Sequence, residues 1–544
     1  MAPALIFFTI LTFTAGAAVD ASEVAALLAL KSTLTVPPSA SAFFATRDAT
    51  AASPCNFTGM TCDPVAAVTA ISIQGLGVAA ASVPFAELCG ALPALATLSL
   101  PENALAGGVD GVAACTALRD LTLAFNGFSG AVPDLSPLTK LCTLNISSNR
   151  FAGAFPWASL AAAAPGLAVL AIGDNPFFAR THSFPRELTE LRNLTVLYAS
   201  AANIAGVIPP GIGDLVNLVD LELADNYLAI KIPPEITKLA ELEVLELYNN
   251  SLCGHLPVGF GKLAKLQFFD ASMNNLTDSL SELRSLKQLV SLQLFLNSFS
   301  GEVPRELGEF KSLVNLSLYS NNLTGELPQS LGSRSKFNFV DVSTNSLSGP
   351  IPPDMCKQGT LRKLIMMENN FSGEIPATYA SCKTLLRFRV SENSLSGRVP
   401  EGLWGLPNVN VFDLAKNHFT GGIGSGIGNA TSLTNLLLGG NRFSGMIPSS
   451  IGKLANLRTV DMSSNEIFGR IPESIGYAAS LYVLQLSSNR LFGMIPALIG
   501  NATELHYIDI SFNEISGRIP SSIGNLTKLG TLSMSSNQIS GKIP

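Results

Sequence analysis

Charged side chains are scarce in this sequence, and neither sign strongly dominates. Lysine, arginine, aspartate and glutamate make up 14% of the 544 residues, and the net charge is −6. Proteins that bind nucleic acids usually carry a basic face, so this composition gives no reason to expect a nucleic-acid partner.

Histidine is rarer still, which argues against an enzyme. The four histidines are widely separated, at positions 182, 255, 418 and 506, and form no metal-ligand or triad grouping. The stretch "GGIGSGIGN" at 421–429 lacks the full G-x-G-x-x-G spacing, and no protein-kinase motif is present. We therefore predict no catalytic residue, no metal and no cofactor.

Long apolar runs are missing after residue 20, so we expect no direct membrane insertion by that part of the chain. The apolar start, "MAPALIFFTILTFTAGAAVDA", predicts a secretory signal peptide at residues 1–19, although a basic n-region is missing. The alternative is an apolar N-terminal helix of the mature domain. Secretion implies an oxidising compartment and glycans. Eleven Asn-x-Ser/Thr sequons are candidate glycosylation sites: Asn56, Asn145, Asn193, Asn249, Asn275, Asn315, Asn322, Asn370, Asn429, Asn501 and Asn525.

One pattern recurs along most of the chain. The segments 313–328 and 481–496 share the frame L-x-x-L-x-L-x-x-N-x-L-x-G-x-I-P, and the frame asparagine recurs every 24 residues from 297 to 537. Earlier copies place it at 103, 126, 149, 175, 226, 250 and 274, with Ala202 in the missing position. This period is typical of leucine-rich repeats, and we expect about twenty of them in residues 67–544.

The period predicts a solenoid. The L-x-L segment alternates as a short strand, so leucines point inward and the intervening residues lie on the concave face. The asparagine amide can satisfy backbone groups of neighbouring coils, and glycine allows a tight turn. We predict an α/β leucine-rich-repeat superhelix with parallel strands on its concave face, in which every frame asparagine is structural.

The two ends of the array differ. The amphipathic stretch 22–35 followed by Cys55 and Cys62 predicts a helical N-terminal cap at residues 20–66, closed by a disulfide. The sequence stops at "SGKIP", inside a repeat. An uncapped coil is unfavourable for solubility, so we expect a truncated product or gene model.

The remaining cysteines suggest links between neighbouring coils. Cys89 and Cys115 are 26 residues apart, as are Cys356 and Cys382, which is about one repeat. Adjacent coils would bring each pair within disulfide range, so we predict two lateral disulfides. Cys142 and Cys253 remain, and we expect them to be small buried residues.

Positions two, four and six before each frame asparagine should face the concave surface. Most are small or polar, but Tyr248, Phe295 and Tyr319 lie two before it, and Glu246 lies four before it. The aromatic residues could be there because strands favour them. Three in four coils also make a patch of the kind that binds ligands.

The stretch "LLRFRVSEN" at 385–393 places Arg387 and Arg389 on the same face, next to Lys363 of the preceding coil. Arg389 could pair with Asp413 one coil later, for a fraction of a kcal/mol. Arg387 has no comparable partner, so the cluster predicts an anion site, and two arginines can hold a carboxylate. Six coils at about 4.8 Å and an extended peptide at about 3.3 Å per residue imply a ligand of roughly nine to twelve residues.

The cysteine-pair cap, the repeat frame and the segments "PPDMCKQG" and "RFRVSENSLSGRVPEGLWGLP" resemble plant leucine-rich-repeat receptor-like kinases of the HAESA and HAIKU group. The resemblance implies an extracellular ectodomain that binds a small secreted peptide. It implies that Arg387 and Arg389 contact the free C-terminal carboxylate of that peptide. The resemblance also implies that Glu246, Phe295 and Tyr319 contact its hydroxyproline-bearing middle.

The resemblance further implies a SERK-type co-receptor kinase as partner and a plasma-membrane location for a full-length serine/threonine kinase parent. We expect the membrane span and kinase of such a parent to be missing from this chain. Ile230 and Asp278 replace the frame glycine, Gly424 replaces the frame proline, and Phe57 stands where the cap usually has tryptophan. The alternatives are a secreted polygalacturonase-inhibitor-like defence protein and an apoplastic, kinase-less decoy receptor.

Overall fold

The computed structural model describes residues 21–48, 53–177 and 183–544. The predicted signal peptide and His182 lie outside these residues. The chain divides into two compact units, the first ending at Leu228 and the second running from Ala229 to Pro544. Among the described residues, no helix is long and apolar enough to cross a membrane.

The first unit begins with a helical cap. Its helix Ala21–Thr33 is followed by a 3-10 turn at Pro38–Ala40 and a short helix at Ser41–Phe44. After the 3-10 turn Pro54–Asn56, the strand Met60–Cys62 pairs antiparallel with Val68–Ser72, and a disulfide joins Cys55 to Cys62. Phe57 is 2% exposed and therefore belongs to the core.

The repeats of the first unit form two parallel ladders and a row of helical turns. The first sheet contains Val68–Ser72, Thr97–Ser99, Asp120–Thr122, Thr143–Asn145, Val169–Ala171, Val196–Tyr198 and Asp220–Glu222. The second ladder is interrupted. Ala79–Ala80, Ala104–Gly107, Gly127–Gly130 and Arg150–Phe151 form one sheet, and Ala205–Gly206 pairs with the first residues of Tyr227–Ile230 in another. The helical segments are Phe85–Ala91, Asp110–Ala114, Trp157–Ala163, Arg186–Glu190 and Pro210–Asp214.

The second unit repeats the same plan more regularly. Its first sheet contains Val244–Glu246, Phe268–Asp270, Ser291–Gln293, Asn315–Ser317, Phe339–Asp341, Lys363–Ile365, Arg387–Arg389, Val411–Asp413, Asn435–Leu437, Thr459–Asp461, Val483–Gln485, Tyr507–Asp509 and Thr531–Ser533. Its second sheet contains Ser251–Gly254, Asn275–Asp278, Ser298–Glu302, Asn322–Glu326, Ser346–Gly349, Asn370–Gly373, Ser394–Arg398, His418–Gly421, Arg442–Gly445, Glu466–Gly469, Arg490–Gly493, Glu514–Gly517 and Gln538–Ile539.

The turns that close the coils of the second unit are mostly 3-10 helices. They cover Pro234–Lys238, Phe260–Lys262, Ser281–Ser285, Arg305–Glu309, Ala377–Ser381, Ser425–Asn429, Ser449–Lys453, Glu473–Tyr477, Ala497–Asn501 and Ser521–Asn525. An α-helix occurs at Glu401–Trp404. The predicted leucine-rich-repeat solenoid with parallel strands is confirmed. Short helices of about one and a half turns are long enough to connect its two ladders.

The frame asparagines tie each coil to the coil before it. The Asn393 side-chain nitrogen donates hydrogen bonds to the carbonyl oxygens of Met366, Val390 and Ser391, at 2.9, 3.1 and 3.1 Å. Its oxygen accepts a hydrogen bond from the Phe371 amide at 2.9 Å. One side chain therefore satisfies four backbone groups that the stacked coils would otherwise bury unpaired.

The frame glycine adopts a left-handed backbone, as at Gly254 with φ 77° and Gly301 with φ 75°. Ile230 and Asp278, which replace it in two coils, keep this geometry with φ 70° and 75°. Aspartate visits this region occasionally, but a β-branched residue rarely does. The ladder therefore forces Ile230 into an unfavourable conformation rather than bending around it.

The missing frame proline at Gly424 has a packing cause. Trp404 is 1% exposed and lies directly against the backbone at Gly424, so that a Cβ there would overlap the Trp404 Cδ1. The buried tryptophan packs edge-on against Phe412 and Phe443. Only glycine leaves room for this ring.

The cysteines form the two lateral disulfides expected from their spacing. Cys89 is bonded to Cys115 and Cys356 to Cys382, each pair 26 residues apart in neighbouring coils. Cys142 and Cys253 are unpaired and half-exposed. The expectation that these two would be buried was wrong, because the period places each at the solvent-facing side of its segment.

We expect the Asn417→Ala substitution to lower the free energy of unfolding by roughly 3 kcal/mol or more, because it strands three carbonyls and one amide in the interior. The matched control is Asn408→Ala, which removes an exposed hydrogen bond to the Lys383 carbonyl and should cost under about 1 kcal/mol. Chemical denaturation of both variants checks this. Equal losses would contradict a structural role for the ladder.

The Ile230→Gly substitution should stabilise the chain. Removing the left-handed strain should raise the free energy of unfolding by about 1–2 kcal/mol. The greater conformational freedom of glycine in the unfolded state should offset roughly half of that gain. Asp278→Gly is the control and should gain less, because aspartate tolerates this conformation better. A lower denaturation midpoint for Ile230→Gly would show that the strain is relieved elsewhere in the structure.

Candidate functional site

The arginine pair lies on the strand Arg387–Arg389 in the first sheet of the second unit. Phe388 between them is fully buried and packs against Tyr379 and Phe412, with ring centroids 6.0 and 5.7 Å away. Because side chains alternate along a strand, burial of Phe388 means that both arginines point to the solvent-facing side of the sheet. This is the arrangement expected from the sequence.

The two arginines are not equivalent, however. The Arg389 guanidinium contacts the Asp413 carboxylate on the next strand, with Nη2 at 3.2 Å and Nε at 3.3 Å from the same oxygen. The Ser391 hydroxyl donates to that oxygen at 3.0 Å, and the Asp413 side chain is only 4% exposed. Arg389 is thus oriented and its charge largely compensated, as the simpler of the two sequence interpretations anticipated.

Arg387 is exposed, and in the described part of the chain its side chain has no hydrogen bond or ion pair. The strands pair in register, so Lys363 lies directly beside it at the usual strand spacing of about 4.8 Å. The Lys363 Nζ lies 5.7 Å from the centroid of the Phe339 ring. Two cations therefore face solvent side by side without a carboxylate between them.

The aromatic residues are less exposed than the sequence suggested. Phe295 and Tyr319 are half-buried and stack on one another, with ring centroids 4.7 Å apart and planes 9° from parallel. Glu246, at the end of the strand Val244–Glu246, and Tyr248, just after it, are also half-buried and lie two coils before Phe295. The structure therefore joins Phe295 to Tyr319, while Glu246 and Tyr248 are placed separately.

Asp341 was missed by the sequence reasoning, although it lies four positions before a frame asparagine. Burial raises the pKa of Asp341, while hydrogen bonds from Ser343 and the positive charge of Arg389 act in the opposite direction. Burial, and secondarily the charge of Asp341, raises the pKa of Tyr319. Asp341 thus lies between the aromatic stack and the arginines and is electrostatically linked to both.

We expect Asp341→Asn to stabilise the protein at neutral pH, since a raised pKa means that ionisation of Asp341 opposes folding. As the pH rises from the ordinary pKa range of aspartate through the raised pKa of Asp341, ionisation of this side chain should lower the free energy of unfolding of the wild-type chain. The difference in unfolding free energy between variant and wild type should therefore grow with pH. Denaturation at pH 4 to 7 measures it.

Asp413→Asn provides the matched control. It removes the partner of Arg389 and should cost about 1–3 kcal/mol at neutral pH, the opposite sign. A pH-independent difference for Asp341→Asn would contradict the role of burial.

Known repeat families match this chain in several places. A leucine-rich repeat N-terminal domain matches residues 20–63, a leucine-rich repeat region matches 210–391, and further leucine-rich repeats match 432–454, 456–478 and 479–539. Receptor-like protein kinase 7 of Arabidopsis thaliana is 47% identical over 210 residues. That match covers 38% of this chain and 21% of the kinase.

Solved structures extend the similarity over nearly the whole chain. The Arabidopsis receptor kinase HAESA, in complex with the peptide hormone IDA and the co-receptor SERK1, matches with a TM-score of 0.83 and 34% identity, over 96% of this chain and 95% of that one. The plant peptide hormone receptor RGFR1, in complex with RGF2, matches with a TM-score of 0.76 and 32% identity, over 90% and 81%. The chain belongs to the family of leucine-rich-repeat ectodomains of plant receptor kinases.

Proposed function

We propose that this chain is a peptide-binding ectodomain of the HAESA and HAIKU type. In this proposal a small secreted peptide lies along the outer face of the first sheet in the second unit. Its free C-terminal carboxylate contacts Arg387 and Arg389. The observation that carries the proposal is the unpaired, exposed Arg387 beside an arginine that is already fixed in position.

The geometry supports a division of roles between the arginines. Asp413 and Ser391 hold the Arg389 guanidinium in place, so that its remaining N–H groups are directed before a ligand arrives. Arg387 supplies the uncompensated charge. A carboxylate bound between them gains charge-assisted hydrogen bonds from both.

The remaining part of the peptide would lie over the earlier coils. The stacked rings of Phe295 and Tyr319 offer a rigid apolar surface, which costs little conformational entropy to contact. Glu246 and Tyr248 lie two coils before Phe295 and would contact the N-terminal part of the ligand. A ligand of about nine to twelve residues spans this distance at roughly 3.3 Å per residue.

Partner and location follow by comparison. The HAESA structure contains the peptide hormone IDA and the co-receptor SERK1. We therefore propose a SERK-type co-receptor kinase as a second partner of this chain. A signal peptide at residues 1–19 would direct it to the secretory pathway and, as part of a longer receptor kinase, to the extracellular face of the plasma membrane. The three disulfides suit that compartment.

The carboxylate contact can be tested with a random library of synthetic twelve-residue peptides that have free C-termini. Peptides enriched on the immobilised chain are resynthesised with amidated C-termini and compared by calorimetry. Amidation removes the charge that Arg387 binds, so we expect affinity to fall by about tenfold or more, or about 1.4 kcal/mol.

Arg387→Gln should lower the affinity for the free-acid peptide by a similar factor. Amidation of the peptide should then have little further effect on affinity, because both changes remove the same interaction. Arg458→Gln, one residue before the later strand Thr459–Asp461, should leave affinity unchanged. Equal affinity of free and amidated peptides for the wild-type chain would refute carboxylate binding at this site.

A further inference from the structure

A depression beside the arginine strand has a composition of its own. It has a volume of about 460 Å³ and is lined by Asn315, Asn338, Phe339, Arg362, Lys363 and Leu386. These residues lie six or seven positions before the frame asparagines of four successive coils. None of them is acidic, and Arg362 was not singled out by the sequence reasoning.

The positive charges around this depression are not compensated. Arg362 is exposed, and within residues 183–544 its side chain forms no hydrogen bond or ion pair. Lys363 contacts the Phe339 ring, and Arg387 follows Lys363 in the strand register. Arg389, in contrast, has its carboxylate partner. Three cations thus stand together, and one terminal carboxylate would compensate only one of them.

Neutral donors complete the depression. The Asn338 side-chain nitrogen donates to the Asn315 side-chain oxygen at 3.3 Å, which fixes the orientation of the Asn315 amide. The Asn315 Nδ2 then has no hydrogen-bond acceptor in the described part of the chain. An oxyanion placed here would meet two cationic groups and an amide donor from different coils, held in position by the sheet.

We propose that this depression is a second oxyanion subsite, which takes an acidic group of the bound ligand in addition to the C-terminal carboxylate. Its ligand is a carboxylate side chain or a tetrahedral ester group. The biological identity of that ligand rests on the proposed peptide-binding function. The subsite itself belongs to this chain and is measurable without a peptide.

Asn315 adds a condition, because it is also the asparagine of a sequon completed by Ser317. A glycan on the Asn315 Nδ2 would fill the depression and replace the oxyanion. The subsite is therefore open only in chains that leave Asn315 unmodified. Ser317→Ala removes the sequon while keeping the Asn315 amide, so this background is the suitable one for a test.

The test is site-specific acylation of lysines in the Ser317→Ala chain by an N-hydroxysuccinimide ester, followed by peptide mass spectrometry. Inorganic sulfate is the probe, and chloride at the same ionic strength is the reference. An oxyanion beside Lys363 stabilises its ammonium form, so we expect labelling of Lys363 to slow by about threefold or more in sulfate. Lys383, which is exposed and outside the depression, should label at the same rate in both salts.

Arg362→Gln should abolish the protection of Lys363, since it removes one of the cations that bind sulfate. Arg458→Gln is the matched control, because Arg458 occupies the same frame position in another coil and should leave the protection intact. Unchanged Lys383 labelling verifies that the reagent is equally active in both salts and with each variant. If Lys363 labels equally fast in sulfate and chloride, or stays protected in Arg362→Gln, the proposal is wrong.

A second measurement separates this subsite from the peptide proposal. The library peptides are sorted by whether an aspartate or glutamate occurs in their last four residues. Acidic peptides should be enriched, and Arg362→Gln should remove the enrichment. Equal enrichment of acidic and neutral peptides would show that the subsite takes no ligand side chain. Sulfate protection without any peptide binding would refute the proposed function and leave the oxyanion site standing.

Discussion

The asparagine ladder is the constraint on which the rest of the structure depends. Each frame asparagine connects backbone groups of two neighbouring coils, as Asn393 does with Met366 and Phe371. Because these bonds are buried, a shift between two coils would leave them unmade at a cost of about 1–3 kcal/mol each. The ladder therefore holds each coil that carries a frame asparagine in register with the coil before it, and equivalent side chains of neighbouring coils lie side by side.

This register explains why like charges remain side by side. A flexible surface could separate Lys363 from Arg387, but in-register strands keep them directly opposite. The ladder also constrains Ile230, whose backbone stays left-handed although its side chain disfavours that conformation. In both places the repeat imposes an unfavourable local arrangement. At Ile230 this arrangement lowers the stability of the chain. Between Lys363 and Arg387 it leaves a positive electrostatic potential, which a bound anion can reduce.

Features with the period of the repeat could be predicted from the sequence. The strands, the frame asparagines and the disulfides Cys89–Cys115 and Cys356–Cys382 all follow from spacing alone. Features that depend on depth could not. The pairing of Arg389 with Asp413 could be anticipated, but not that the Asp413 side chain is only 4% exposed, and not that burial raises the pKa of Asp341 at the same frame position.

Arg362 was missed for a related reason. It lies one residue before the strand, outside the positions that alternation assigns to the binding face, and only the packing of neighbouring coils brings it beside Lys363.

The pairing of Arg389 with Asp413 changes how the site can distinguish its ligands. A compensated arginine adds little net attraction, but its guanidinium is already ordered and offers hydrogen bonds in fixed directions. An exposed arginine adds attraction but must lose conformational freedom on binding, which costs about 1–2 kcal/mol for such a long side chain. Direction and attraction therefore come from different residues. A ligand with charge but the wrong geometry would satisfy Arg387 alone, and only a carboxylate placed between the two would satisfy both.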